Sequence, residues 1–426
     1  MKTQSLFSSL KELKGNARGC VYTEPLWGIT FNLYAPYISV YMIALGLTDK
    51  QIGLNVTISW VVQIFFSLLS GVITDKLGRR LTTLLADLVA WTVPSLISAI
   101  AANYWFFLAA ALFNSTWRLS LNSWTCLMVE DTDPDQLIDI YAWVYISGLA
   151  AAFFAPLAGL LIKSYSLVPT LRGLYFFAAF MFTLKCGITY HFTRETEQGK
   201  VRMHETKQQG IFSVLGEYRG VVRDVLHSPA TLYTAGVMLF LTIYSMVNGT
   251  FWAIIVTEKL QIPVQNLAIF PFIRSVAMLV FFFFVIPRLR RIHFQTPLVV
   301  GFIGLFVSQL LLVFTPAKGY AWLIASIILE ACGMATTGPL VDQLMILTVD
   351  PKERARIQSI LYVGVILVAS PFGWVAGTLS GLNKTLPFYL NILFLAAGAG
   401  LAYFAGRAAR MRALAAEVET EVAVPL

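Results

Sequence analysis

The sequence predicts an all-α membrane protein whose twelve transmembrane helices form two pseudo-symmetric six-helix halves. Three observations carry that reading. The chain is 57% hydrophobic and only 13% charged over 426 residues, too apolar to hide its surface inside one water-soluble core. Its apolar stretches recur at about 20 residues, the length a helix needs to cross a bilayer. Six of these stretches precede a charged segment and six follow it.

In chain order, spans are expected near 21–46, 51–73, 81–102, 104–128, 139–162 and 172–192, then near 229–257, 264–287, 296–316, 320–347, 357–380 and 386–407. Residues 1–20 read as a cytoplasmic N-terminal segment, in which Leu6, Phe7, Leu10 and Leu13 recur at helical spacing among lysines. That pattern suits a short helix lying in the membrane interface or a frayed tail. Residues 21–192 form the N-terminal half and 193–228 a cytoplasmic linker, opened by the run from Arg194 to Lys207. The second part of the linker, with Ile211, Val214, Leu215, Tyr218, Val221, Val222 and Val225, is amphipathic. Residues 229–407 form the C-terminal half and 408–426 a cytoplasmic tail. No cleavable signal peptide is evident, and span 1 serves as its own insertion signal.

Lysine and arginine set the orientation, because cationic loops stay on the cytoplasmic side. Of the 31 such residues, 22 fall on the face carrying both termini and 6 on the other. The net charge of +8 is therefore a topology signal spread over separate loops, and nucleic acid is not an expected partner. Cys20, Cys126, Cys186 and Cys332 are scattered without metal-ligand spacing. No metal, cofactor or catalytic group is expected, and no hydrolase or nucleotide-binding motif occurs in a plausible setting.

Between spans 2 and 3 lies Gly71 to Arg80, GVITDKLGRR. It matches G-x-x-x-D-x-x-G-R-R, and through it the chain resembles the major facilitator superfamily of secondary transporters along its whole length. The halves also echo each other: Leu127-Met128 and Asp133-Pro134 return as Leu344-Met345 and Asp350-Pro351, and Ala158-Gly159 as Ala376-Gly377. Parallel repeats of this kind, with the solute between them near the midplane, are what the resemblance implies.

The motif has a physical logic. Gly71 allows close helix contact, Gly78 a tight turn, Asp75 can face the positive end of a helix, and Arg79 and Arg80 supply cations. Span 4 returns to the same face at Glu130 and Asp131, which offer the arginines carboxylate partners. The resemblance implies a cytoplasmic gate of Asp75, Arg79 and either Glu130 or Asp131. The corresponding loop of the second half, Pro287 to Arg291, keeps the basic residues but lacks the glycines and the aspartate, so the gate is expected to be asymmetric.

Seven ionisable residues fall within spans: Glu24, Asp87, Arg118, Lys185, Arg274, Glu330 and Asp342. Each is costly in hydrocarbon and should face the protein interior or an interface. The resemblance implies that spans 3, 6, 9 and 12 stand outside the cavity. Asp87 and Lys185, on spans 3 and 6, are therefore expected in structural or snorkelling roles. Asn114, Arg118 and Asn122 form a polar stripe on span 4, Glu24, Gly28 and Asn32 one on span 1, and Tyr244, Asn248 and Trp252 one on span 7. Asn32 and Arg118 lie roughly 16 Å from the cytoplasmic ends of their helices, and Arg274 and Glu330 about 15 Å from the outer face. The last two can pair with each other, or one can bind solute while Glu330 exchanges a proton. Trp27, Trp117, Trp124, Trp143 and Trp252 add aromatic surface. Gly148, Ala152, Ala155-Pro156 and Gly159 in span 5 loosely resemble the glycine-proline motif of the family's proton-coupled exporters, or simply permit close packing.

The expected activity is secondary active transport of a small solute by alternating access, coupled to protons and directed outward. Glu24, Asn32, Arg118, Asn122, Asn248, Trp252, Arg274 and Glu330 are the candidate solute or proton pathway. The alternatives are proton-coupled uptake of a sugar-like or anionic nutrient through Arg118 and Arg274, and a non-transporting membrane sensor. The chain is expected to work as a monomer in a bacterial plasma membrane, with the lipid bilayer, protons and the solute as its partners.

Overall fold

The computed structural model describes residues 10, 12–207, 229–285, 288, 295–348 and 354–422, and these contain helices and turns with no strand. Among the described residues, ten helices are long and apolar enough to cross a membrane. The other two predicted spans, 1 and 4, are occupied by interrupted helices. In span 1, Gly15–Tyr34 passes through a 3-10 turn, Ala35–Tyr37, into Ile38–Ala44. Pro36 sits in that turn, where its missing N–H and its ring disfavour a continuous helix. In span 4, Tyr104–Asn114 stops and Trp117–Val129 begins anew. At the break the Ser115 and Thr116 hydroxyls donate back to the carbonyls of Ala111 and Phe113, each at 2.8 Å.

The internal repeat has a structural counterpart. Span 5 runs Leu137–Ala151, a 3-10 turn, then Ala155–Tyr165; span 11 runs Arg354–Ala369, then Pro371–Leu382. Both second segments carry proline at their start, where no helical hydrogen bond is lost. Ala158-Gly159 and Ala376-Gly377 are buried in them.

Two compact units emerge. The first comprises Met1–Val214 with Ile262–Ser275, and the second Leu215–Gln261 with Val276–Leu426. In the first, helix 1 starts at Gly15, earlier than expected, because Leu13, Ala17, Cys20 and Val21 are buried against Trp124, Leu127, Met128 and Ile140. Leu10 and Leu13 thus pack on the bundle instead of lying in an interface, while Leu6 and Phe7 fall outside the described residues, as does the amphipathic stretch from Ile211 to Val225. Of Pro287 to Arg291, only Arg288 is described. The core of the second unit is built on Leu298, Phe302, Leu305, Leu344, Val365, Leu395 and Ala402.

Residues 262–275 join the first unit through span 5. The turn Val264–Asn266 passes so close to Gly159 that a Cβ there would collide with the Gln265 carbonyl oxygen. Backbone cannot yield as a flexible side chain can, so Gly159→Ala is expected to destabilise by about 1–3 kcal/mol through overpacking. A lowered melting temperature of detergent-purified protein would register it; an unchanged one would count against this contact.

Candidate functional site

At the junction of spans 2 and 3 the chain turns at Gly78, with φ 84° and ψ 161°. Glycine reaches this conformation without strain, and a Cβ there would lie 2.5 Å from a carboxylate oxygen of Glu195. That carboxylate accepts hydrogen bonds from the backbone N–H groups of Arg79, at 2.8 Å, and Arg80, at 3.0 Å. It neutralises the unsatisfied positive end of the helix beginning at Arg79. The carboxylate at the helix terminus is therefore Glu195 of the linker and not Asp75.

Asp75 instead bridges two guanidinium groups. Arg79 reaches its Oδ1 at 2.8 Å and Arg202 its Oδ2 at 2.9 Å. Arg79 also holds Glu130 at 3.0 Å, and the Thr196 hydroxyl donates to the same Glu130 oxygen at 2.5 Å. The alternative at span 4 is thus decided by geometry: Glu130 pairs with Arg79, while Asp131 accepts the backbone N–H of Glu197 at the start of the linker helix Glu197–Glu205. Arg79 is 5% exposed, so these partners replace its water. The Arg80 side chain turns elsewhere. It donates to the Tyr190 carbonyl at the end of span 6 and stacks 3.8 Å from that tyrosine's ring centroid. Hydrogen bonding to Asp75, with help from Glu205, raises the pKa of Arg202 further above its ordinary value. Gly71 is exposed in the first unit. Every partner in this network belongs to the first unit.

Deeper in that unit lies a cavity of about 550 Å³ bordered by spans 1, 2, 3, 4 and 6. Spans 3 and 6 line this cavity within the first unit. Span 3 widens to a π-helical turn at Leu88–Thr92, a feature frequent at functional sites, and presents Asp87, Trp91, Pro94 and Ser95; span 6 adds Tyr175 and Lys185. Asp87 and Lys185 do not snorkel. They form an ion pair of 2.6 Å at 4% and 5% exposure, with the Ser120 hydroxyl donating to the other Asp87 oxygen. Glu24 of span 1 borders the same cavity and interacts electrostatically with both. The aromatic wall is continuous: Trp27 stacks on Phe31 at 5.0 Å, and Trp91 stands edge-on to both at 5.1 and 6.0 Å.

The predicted polar stripes are split. Glu24 faces the cavity with Trp27, Phe31 and Tyr34, whereas Asn32 donates to the Gly28 carbonyl of its own helix and Gly28 lies against Ala151 of span 5. The break at Ser115 separates Asn114, which borders the cavity and donates to the Ala90 carbonyl, from Arg118 and Asn122. Arg118 approaches Gln63 at 3.5 Å and stacks on Trp117, and Asn122 reaches Thr74. Neither borders the cavity.

The second unit carries its own buried polar chain. Asn248 of span 7 donates to Glu330 of span 10 at 2.9 Å, Gln309 of span 9 to Asn248 at 3.4 Å, and Asn391 of span 12 to Gln309 at 3.2 Å. All four residues are at most 5% exposed. Asn248 and Glu330 were expected at a site; Gln309 and Asn391 were missed, although an isolated amide in an apolar span is itself a signal. Trp252, one turn beyond Asn248, is half-buried, and Arg274 is half-buried in the first unit, with Glu330 in the second.

Ten helices of this length and hydropathy among the described residues define an integral multi-pass membrane protein. The family model of the Major Facilitator Superfamily matches residues 26–365, and the chain belongs to that family. The comparison with curated proteins found no match. Among solved structures, the fold is similar to the nucleoside transporter NupG, with TM-score 0.70, 15% identity, and coverage of 93% of this chain and 99% of that one. It is also similar to a POT family transporter in complex with 5-aminolevulinic acid, with TM-score 0.67, 14% identity and coverage of 91% and 94%. A bacterial homolog of the human lysosomal transporter Spinster, inward-facing and occupied, gives TM-score 0.62, 14% identity and coverage of 92% and 96%. At such identities the likeness is one of fold.

Two outcomes follow from this geometry. Lys185→Met strands the Asp87 carboxylate and is expected to cost about 3–5 kcal/mol, much of it recovered when Asp87→Asn is added; melting temperatures of the single and double variants read the difference. Glu195→Ala removes the charge that caps the helix at Arg79, expected at about 1–2 kcal/mol. Limited trypsin digestion should then cut faster at Lys200 and Arg202, and equal rates would argue against the tether.

Proposed function

We propose that the protein is a secondary active transporter that moves a small solute out of the cell by alternating access in exchange for protons. It works as a monomer of twelve spans in a bacterial plasma membrane, with both termini cytoplasmic. The observation that carries the coupling is the position of Glu24 on the cavity beside the Asp87–Lys185 pair. Asp87 already has Lys185 and Ser120 as partners. Glu24 is the lining carboxylate left to take up a proton or to balance a charge on the solute, and a site that accepts one or the other supports exchange.

Outward movement is favoured over anion or sugar uptake by the lining. It is mostly apolar and aromatic, and neither of the two arginines on which the uptake reading rests, Arg118 and Arg274, borders it. The Asp75–Arg79–Glu130 network acts as a cytoplasmic gate in this reading. Its ties to Glu195, Thr196 and Arg202 bring the linker under its control, so that breaking the network frees the linker as the cavity changes access.

Proteoliposomes loaded with a pH-sensitive dye test the coupling. A gradient of a true substrate should drive proton movement opposite in sense to symport, and Glu24→Gln should abolish it while solute binding is still measurable. Substrate-driven proton flux unchanged in Glu24→Gln would remove Glu24 from the mechanism. Asp75→Asn and Arg79→Ala are expected to slow transport at least tenfold at equal expression, and wild-type rates in both would sink the gate.

A further inference from the structure

We infer that the cavity of the first unit is a binding site for an organic monocation with a planar aromatic ring system, such as a polycyclic amine protonated at neutral pH. Two independent features of the lining point to this class.

The first is charge. Two carboxylates and one ammonium border the cavity, and the ammonium of Lys185 is committed to Asp87 at 2.6 Å. With both carboxylates ionised, one negative charge remains, and it resides on Glu24. A cation balances it; an anion would add a second uncompensated charge in a medium of low dielectric.

The second is the wall. Trp27 and Trp91 present faces and edges around Phe31, and Trp60, Trp117 and Trp124 border the same space. Indole faces attract cations through their quadrupole and stack on flat rings. The volume, about 550 Å³, lies within the range of small-molecule pockets.

Only the claim that this ligand is the cargo rests on the transport reading; the site itself stands on the geometry of one unit.

Three flat probes of matched size test it: 9-aminoacridine, a cation at pH 7.5, acridine, neutral there, and anthracene-9-carboxylate, an anion. Binding to purified full-length protein in detergent is read by equilibrium dialysis, with tryptophan quenching as a check on location. The cation should bind at least tenfold more tightly than the neutral probe, and the anion most weakly. Glu24→Gln, which keeps the volume, should erase the preference for the cation and leave acridine affinity unchanged. Trp27→Ala, which removes an aromatic face from the wall, should weaken binding of all the flat probes severalfold. Equal affinity for all three probes, or a cation preference that survives Glu24→Gln, overturns the inference. Failure of the two readings is separable: cation binding without proton flux in proteoliposomes sinks the transport reading alone, and proton flux driven by another solute, with no cation binding, sinks this inference alone.

Discussion

A charge enclosed among apolar helices has no water to screen it, so its counter-charge must come from the protein. That constraint orders the rest of this structure. Lys185 and Asp87, on spans 6 and 3, are tolerable in the first unit because they meet each other at 2.6 Å, with Ser120 completing the carboxylate. Their pairing draws spans 3, 4 and 6 together around a cavity and leaves Glu24 as the lining carboxylate whose neighbours act on it electrostatically. In the second unit, Glu330 accepts a hydrogen bond from Asn248, behind which Gln309 and Asn391 continue a buried amide chain.

The network around Arg79 obeys the same rule at a wetter edge. Arg79 is almost fully buried and is matched by Asp75 and Glu130, whereas Arg202, more exposed, adds a weaker tie to Asp75. Glu195 makes the arrangement directional: by satisfying the N–H groups at Arg79 and Arg80 it docks the linker onto a helix terminus, where a carboxylate is stabilised by the helix dipole. A network that includes the connector between two units can transmit a change in one of them along the chain, which an isolated surface ion pair could not.

The breaks in spans 1, 4, 5 and 11 matter as much as the charges. Each lies where proline, serine or threonine competes with regular helical hydrogen bonding. The break at Ser115 and Thr116 parts Asn114 from Arg118, although their spacing suits one face of a continuous helix. It is the physical reason that Arg118 turns to Gln63 instead of joining Glu24 on the cavity wall.

Composition and hydropathy alone determined that this chain is an all-helical membrane protein, because burying so much apolar surface in bilayer-length segments leaves no soluble alternative. The motif from Gly71 to Arg80 determined its family, and it sets Asp75 and Arg79 on either side of the turn at Gly78, where they pair. Partners distant in sequence were decided by tertiary structure: Glu195 and Arg202 at the network around Arg79, Asp87 with Lys185, Gln309 and Asn391 behind Glu330. The reason is that helical periodicity fixes which residues share a face, while the facing helix that supplies a counter-charge is chosen only when the bundle packs.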